Sequence, residues 1–188
     1  MQKNNSVINT ILETQFLFDV IFIQELSWTT ICLIPSSKSK EEEELVGVMN
    51  HPNWITFSRN SLLANDSPRV VTYINIRLSL FCFSLCKNIY NYRDISLISF
   101  FNNNSILFLI SVYSDSSQSA LKYLKNTEDN INNIHVITGD FNIRDNLWDP
   151  SYLYYYIHSD LLFDIVDSLY LELSKLTNQV PTRCSNNN

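Results

Sequence analysis

A chain of 188 residues with 45% hydrophobic and 17% charged content is globular rather than disordered, and it is long enough to bury a core as a single domain. Thirteen basic against 19 acidic residues leave a net charge of −6, so no basic patch advertises nucleic acid and any polyanion binding would be local or metal-mediated. The only glycines are Gly47 and Gly139, so neither a dinucleotide-binding fingerprint nor a phosphate-binding P-loop can be built.

The chain opens polar at Met1-Gln2-Lys3-Asn4-Asn5 and predicts no signal peptide. Val7, Ile8, Ile11, Leu12 and, less regularly, Phe16 form a helical stripe over Asn5 to Phe18, with Asn4, Asn5 or Ser6 as cap. Asp19 to Glu25 then changes to a β-branched and aromatic run, which predicts a strand buried on both faces and ending in Gln24-Glu25. Ser36 to Glu44 reads as a solvated loop. Leu45 to Met49 and Trp54 to Ser58 are short strands joined by a turn at His51-Pro52-Asn53. Val70 to Ile76 is a stronger strand after Pro68-Arg69, and Leu78 to Leu85 is another candidate. Asp94 to Phe101 and Ser105 to Tyr113 predict an antiparallel pair across Asn102-Asn103-Asn104, too short on either side to span a bilayer.

Asp115 or Ser116 caps a helix through about Asp129, with Ala120, Leu121 and Leu124 facing inward. Ile134 to Thr138 predicts a buried strand that leads into Gly139-Asp140-Phe141-Asn142. A final helix starts at Ser159 or Asp160 and carries Leu162, Phe163, Ile165, Val166 and Leu169. Many strands and a few separated helices imply an α+β layered domain.

Cys32, Cys82, Cys86 and Cys184 lack metal-ligand spacing and read as free thiols of a reducing compartment, with Cys82 and Cys86 buried. His51, His135 and His158 form no triad with a serine nucleophile by spacing. The chemistry-bearing positions are the polar ends of apolar strands. If Asp140 and Asn142 continue a strand, they share one face while Phe141 turns inward; an Asx turn is the structural alternative. Should Gln24-Glu25 lie beside them, Glu25 and Asp140 supply hard oxygen ligands for Mg²⁺ and the amides supply contacts to a phosphate. Tyr113, ending its own strand, could meet developing negative charge.

Phe22-Ile23-Gln24-Glu25, Ser111-Val112-Tyr113 and Thr138-Gly139-Asp140-Phe141-Asn142, in this order and at these separations, resemble the endonuclease/exonuclease/phosphatase superfamily. With Trp148 and the Leu147-Trp148-Asp149-Pro150 continuation, the resemblance is nearest to the endonuclease domain of non-LTR (LINE-type) retrotransposons, over nearly the whole chain. It implies a four-layered α/β sandwich of two packed sheets flanked by helices. It also implies Mg²⁺-dependent phosphodiester cleavage, Mn²⁺ being an alternative ion, that nicks DNA to prime reverse transcription. The domain would belong to a larger nuclear polyprotein with a reverse transcriptase. Glu25 would bind the metal, Asp140 would activate water or add to the metal site, Asn142 would hold the phosphate, and Tyr113 would stabilise its charge.

Two departures accompany the resemblance. The family's first strand, which delivers a metal-site asparagine, has no counterpart here, and Gln2 is the residue nearest its place. The closing strands with a further aspartate and a phosphate-contacting histidine have none either. The expectation is therefore a domain incomplete at both ends, with unpaired sheet edges. A catalytically inactive retroelement fragment and a non-enzymatic nucleic-acid-binding module stand as alternatives. Inositol polyphosphate phosphatases, sphingomyelinases and deadenylases share the core motifs.

Overall fold

A computed structural model describes residues 2–15, 17–25, 29–35, 42–48, 50–59, 68–102, 105–127, 134–143, 145 and 159–172. The chain begins with helix α1 (Gln2–Thr14), which buries Ile8 and Leu12 and leaves Val7 exposed. It starts before Asn5 and stops short of Phe18. Beyond its end, Arg77 Nη2 donates to Leu17 O at 2.7 Å and Asn75 Nδ2 to Phe18 O at 3.2 Å, holding the link to the first strand. Strand β1 (Val20–Gln24) follows, half-buried along its whole length rather than buried on both faces. It lies at an edge of its sheet, so one side of the ribbon lacks a neighbour among the described strands.

Strands β2 (Thr29–Pro35) and β3 (Glu42–Gly47) form a separate antiparallel ribbon. The strand expected over 45–49 begins earlier, at Glu42 within the stretch expected as loop, and its Glu42, Glu43 and Glu44 pair with Pro35, Ile34 and Leu33 of β2, a strand that the composition does not single out. Ladder hydrogen bonds are made by the backbone and are indifferent to side-chain charge, so an acidic run is no bar to a two-stranded ribbon. After the turn at 51–53, where His51 Nδ1 accepts the Asn53 N–H at 3.2 Å, come β4 (Trp54–Phe57) and β5 (Val70–Asn75). β5 is central in the three-stranded antiparallel sheet β1-β5-β4, and all six of its residues are buried.

A 3₁₀ turn over Ile76–Leu78 shortens the candidate strand at 78–85 to β6 (Cys82–Leu85). The Asn75 side chain starts that turn by accepting the Arg77 N–H. The hairpin of β7 (Ile95–Asn102) and β8 (Ser105–Tyr113) pairs from Ile95↔Val112 to Asn102↔Ser105 as the sequence predicts. Helix α2 (Ser119–Asn126) begins later than its predicted start, but Asp115 Oδ1 still accepts the Ser119 N–H at 3.2 Å. β9 (Val136–Asp140) runs parallel to β8 and closes the four-stranded sheet β6-β7-β8-β9. It was expected as a buried strand over 134–138. As an edge strand it instead exposes Val136 and Asp140. Helix α3 (Ser159–Ser168) buries Leu162 and Ile165.

The helices occupy opposite outer faces. Ile8 and Leu12 of α1 pack with Trp54, Val71 and Tyr73 of the first sheet, and Trp54 Nε1 donates to Leu12 O at 2.8 Å. Ala120, Leu121, Leu124, Leu162 and Ile165 of α2 and α3 pack with Leu97, Ile110 and Val112 of the second. Strand alternation therefore turns Val70, Thr72 and Ile74 toward the other sheet. That seam carries small polar groups: Thr72 Oγ1 meets Ser96 Oγ at 3.3 Å, and Gln24 Nε2 donates to Ser111 Oγ at 3.0 Å. Phe57, Phe83 and Phe100 join the far edges, with Phe83 and Phe100 centroids 4.8 Å apart. Cys82 is exposed and Cys86 half-buried, against the expectation of two buried thiols, because β6 is the outer strand of its sheet. No described helix is long and apolar enough to cross a membrane.

Candidate active site

The ends of β1, β8 and β9 meet. Glu25, the residue after β1, takes a left-handed conformation (φ 53°) and donates its N–H to Arg69 O at 2.8 Å, so the chain turns sharply there. The Tyr113 hydroxyl, at the end of β8, donates to Glu25 Oε1. Tyr113 is the parallel-register partner of Asp140, and the Ser114 N–H continues the ladder to Asp140 O at 2.8 Å. Gly139 makes this approach possible: a Cβ there would lie 1.8 Å from Val112 O, and φ is +153°.

Asn142 is not carried on a continuing strand. β9 stops at Asp140, and Asn142 (φ 50°) donates its N–H to Asp140 Oδ1 at 3.0 Å, the Asx turn that was the structural alternative. The same turn sends Asn142 Nδ2 to Ser114 O at 2.7 Å, directly after Tyr113. Phe141 packs against the second-sheet core as expected. Turn and cluster are thus one arrangement, with Glu25, Tyr113, Asp140 and Asn142 linked by hydrogen bonds or strand register.

Beneath Tyr113 lies a charged network that strand-end reasoning missed. The Arg69 guanidinium sits 4.3 Å from the centroid of the Tyr113 ring. Arg69 Nε donates to Asp94 Oδ1 at 2.6 Å and Nη2 to Asp94 Oδ2, while Nη2 also reaches Asp115 Oδ2 at 3.5 Å. Asp94 is fully buried and lies 3.4 Å from Arg93 Nε as well. In the sequence Arg69, Asp94 and Asp115 are each only a charge beside a strand end or start, and it is the fold that brings them together.

These contacts set the proton affinities. The bond to Glu25 pushes the Tyr113 phenol up, helped by burial and by the charges of Glu25 and Asp140; Arg69 pulls the other way. The Arg69 guanidinium is held above its usual range, chiefly by its bond to Asp94. Asp115 is drawn down to about 2, first by the Ser117 hydroxyl and also by the Ser119 N–H and Arg69, with burial opposing.

Glu25 and Asp140 are exposed carboxylates, and the Asn142 carbonyl oxygen has no partner among the described residues. This all-oxygen donor set suits a hard cation such as Mg²⁺, which takes one or two carboxylates and keeps several waters. Among the described residues, no group of three or more His, Cys, Asp or Glu could hold a metal alone, so a cation here would depend on water or a phosphate for much of its shell. Gln2 is the first residue of α1. Trp148 and His158 lie outside the described residues. His135 Nδ1 accepts the Phe108 N–H at 3.2 Å, a structural role away from the cluster.

No family model and no curated protein matches this chain. Among solved structures, the chain is similar to the endonuclease domain of TRAS1, a telomere-specific non-LTR retrotransposon, with a TM-score of 0.65 over 96% of this chain and 71% of that one. Sequence identity is 14%, so the likeness is one of backbone architecture: this chain has the α+β fold of a non-LTR retrotransposon endonuclease domain.

Proposed function

We propose that this chain is a Mg²⁺-dependent phosphodiesterase domain that nicks DNA, with Mn²⁺ able to substitute. The observation that carries the reading is the bond from the Tyr113 hydroxyl to Glu25 at the point where Asp140 and Asn142 also arrive. Three strand ends from two sheets, far apart in sequence, supply two carboxylates, a phenol and an amide to one place. Packing of α1, the two sheets and α2 with α3 is read as the four-layered sandwich of the superfamily, in one domain.

In this reading Glu25 and Asp140 hold the cation, with Gln2 near the place of the family's asparagine. A bound Mg²⁺ supplies charge neutralisation at the phosphate. Asp140 accepts a proton from the attacking water, and one of its oxygens is already fixed by the Asn142 N–H. Asn142 contacts a phosphate oxygen through its side-chain amide. Tyr113 donates to the developing negative charge once its hydroxyl leaves Glu25, since a phenol keeps its proton at neutral pH. DNA is the substrate favoured by the fold likeness, and the domain acts in the nucleus within a larger polypeptide that bears a reverse transcriptase.

The test is nicking of supercoiled plasmid by the purified chain with Mg²⁺. Cleavage that disappears with chelator and with Asp140→Ala supports the proposal. Without cleavage by the chain alone, recovery on adding the family's closing strands would indicate a split site. DNA binding with no cleavage in either form would replace the enzyme with a binding module.

A further inference from the structure

In the proposed reaction the Tyr113 hydroxyl leaves Glu25, and the phenol then needs another hold. Tyr113 is buried, yet among the described residues its ring joins neither hydrophobic cluster. Its face meets the Arg69 guanidinium, 4.3 Å from the ring centroid. An unrestrained arginine is a loose support, because its long side chain keeps many rotamers. Arg69 is restrained. Both oxygens of the buried Asp94 accept from it, Oδ1 from Nε at 2.6 Å, and Asp115 Oδ2 lies 3.5 Å from Nη2. A two-pronged bond of this kind fixes the direction of the guanidinium plane as well as its distance.

The backbones of the same residues close a circuit. Arg69 O accepts the Glu25 N–H at 2.8 Å, and Asp94 O accepts the Tyr113 N–H at 2.9 Å. Arg69 and Asp94 therefore hold the main chains of the two residues joined by the bond from Tyr113 to Glu25, and they are tied to each other by side chains. Arg69 immediately precedes β5, the neighbour of β1, and Asp94 immediately precedes β7, the neighbour of β8. The pair thus links the two sheets beside the cluster. A lysine could supply the charge at position 69 but neither the fork nor the flat face laid on the ring.

We infer that Arg69, clamped by Asp94, is the positioning residue for Tyr113: it keeps the phenol aimed into the site while the hydroxyl passes from Glu25 to the substrate. The inference rests on the proposed function for the step it serves. Arg69 touches no reacting atom in this role and acts only through the ring.

The test is a double-mutant cycle on the nicking of supercoiled plasmid with Mg²⁺, using the full chain with Arg69→Met or Arg69→Lys, each alone and combined with Tyr113→Phe. Arg69→Met leaves the buried Asp94 without its main partner; should circular dichroism show it unfolded, Arg69→Lys, which keeps a charge beside Asp94, carries the cycle. With Tyr113 present, replacing Arg69 lowers kcat about 10- to 100-fold and changes KM by about twofold at most. With Tyr113→Phe, the same replacement changes kcat by about twofold at most, because no hydroxyl remains to be aimed. Equal losses in both backgrounds would make the arginine merely structural and overturn the inference, as would a parental rate in folded Arg69→Lys. A second readout needs no cleavage: ¹³C relaxation of the Tyr113 ring, whose signal is identified by its loss in Tyr113→Phe, shows a rigid ring in the parent and a more mobile one in Arg69→Lys. If the parent does not nick, the proposed function falls and ring mobility alone decides: a loosened ring keeps the clamp, and an unchanged one removes it. Nicking with equal losses keeps the enzyme and removes the positioning role.

Discussion

Replacing Gly139 with alanine should damage fold and site together. The added Cβ would lie 1.8 Å from Val112 O, where real contacts almost never fall below 3.0 Å, so β9 would have to move from β8 by about 1 Å. Overpacking of this kind costs about 1–3 kcal/mol, and the positive φ adds about 1–2 kcal/mol for a residue with a Cβ. The expected loss is about 2–5 kcal/mol, a large part of the ~5–15 kcal/mol that keeps a domain folded. Urea unfolding followed by tyrosine and tryptophan fluorescence reads this as a lower midpoint. Because Asp140 is the next residue, a 1 Å displacement should also reduce nicking about 100-fold under conditions where the variant remains folded. A midpoint and a nicking rate both equal to the parent's would refute the placement of β9 against β8. Thr138→Ala, one residue earlier, adds no Cβ and serves as the control.

Tyr113→Phe removes only the hydroxyl; nicking should fall about 100- to 1,000-fold while stability changes by about 1 kcal/mol or less, and a rate within threefold of the parent would deny Tyr113 its role. Thr56 Oγ1 is buried without a hydrogen-bond partner among the described residues, so Thr56→Val should stabilise by about 1 kcal/mol and raise Tm by about 2–4 °C; a lower Tm would show that the hydroxyl is satisfied. Asp115 has its proton affinity depressed in the folded state to about 2 from 3.8, so its stabilisation is present above about pH 4 and fades as the pH falls through 2. Partial exposure screens that contribution to about 1 kcal/mol, and the gap in urea midpoint between the parent and Asp115→Asn should close over that window. A gap that stays constant from pH 5 to pH 2 would refute it.

What could be read before the structure was whatever depends on local pattern. The hairpin of β7 and β8 follows from two apolar runs separated by asparagines, and the inward face of α2 follows from the spacing of Ala120, Leu121 and Leu124. Burial was harder, because an apolar run such as Val20–Ile23 or Val136–Thr138 does not reveal whether its strand is central or at an edge. Residues 45–49 read as a strand, but β2 and its pairing with the acidic start of β3 escaped notice because that pairing needs only backbone. At the cluster, residue types at strand ends pointed to Glu25, Tyr113, Asp140 and Asn142. Arg69 and Asp94 could not be found in that way. Their partnership is made across 25 residues by folding, and each alone resembles an ordinary charge before a strand.

The hydroxyl and amide pairs between the sheets, Thr72 with Ser96 and Gln24 with Ser111, act as indexing pins. Two wholly apolar faces could slide over each other by a residue with little penalty, whereas a slip here would strand polar groups without partners in a region that water scarcely reaches. The alignment of β1 with β8, and hence the reach from Glu25 to Tyr113, is fixed by side chains that take no part in chemistry. Substitution of Glu25, Asp140 or Asn142 therefore alters what the cluster can do while leaving the sheets aligned.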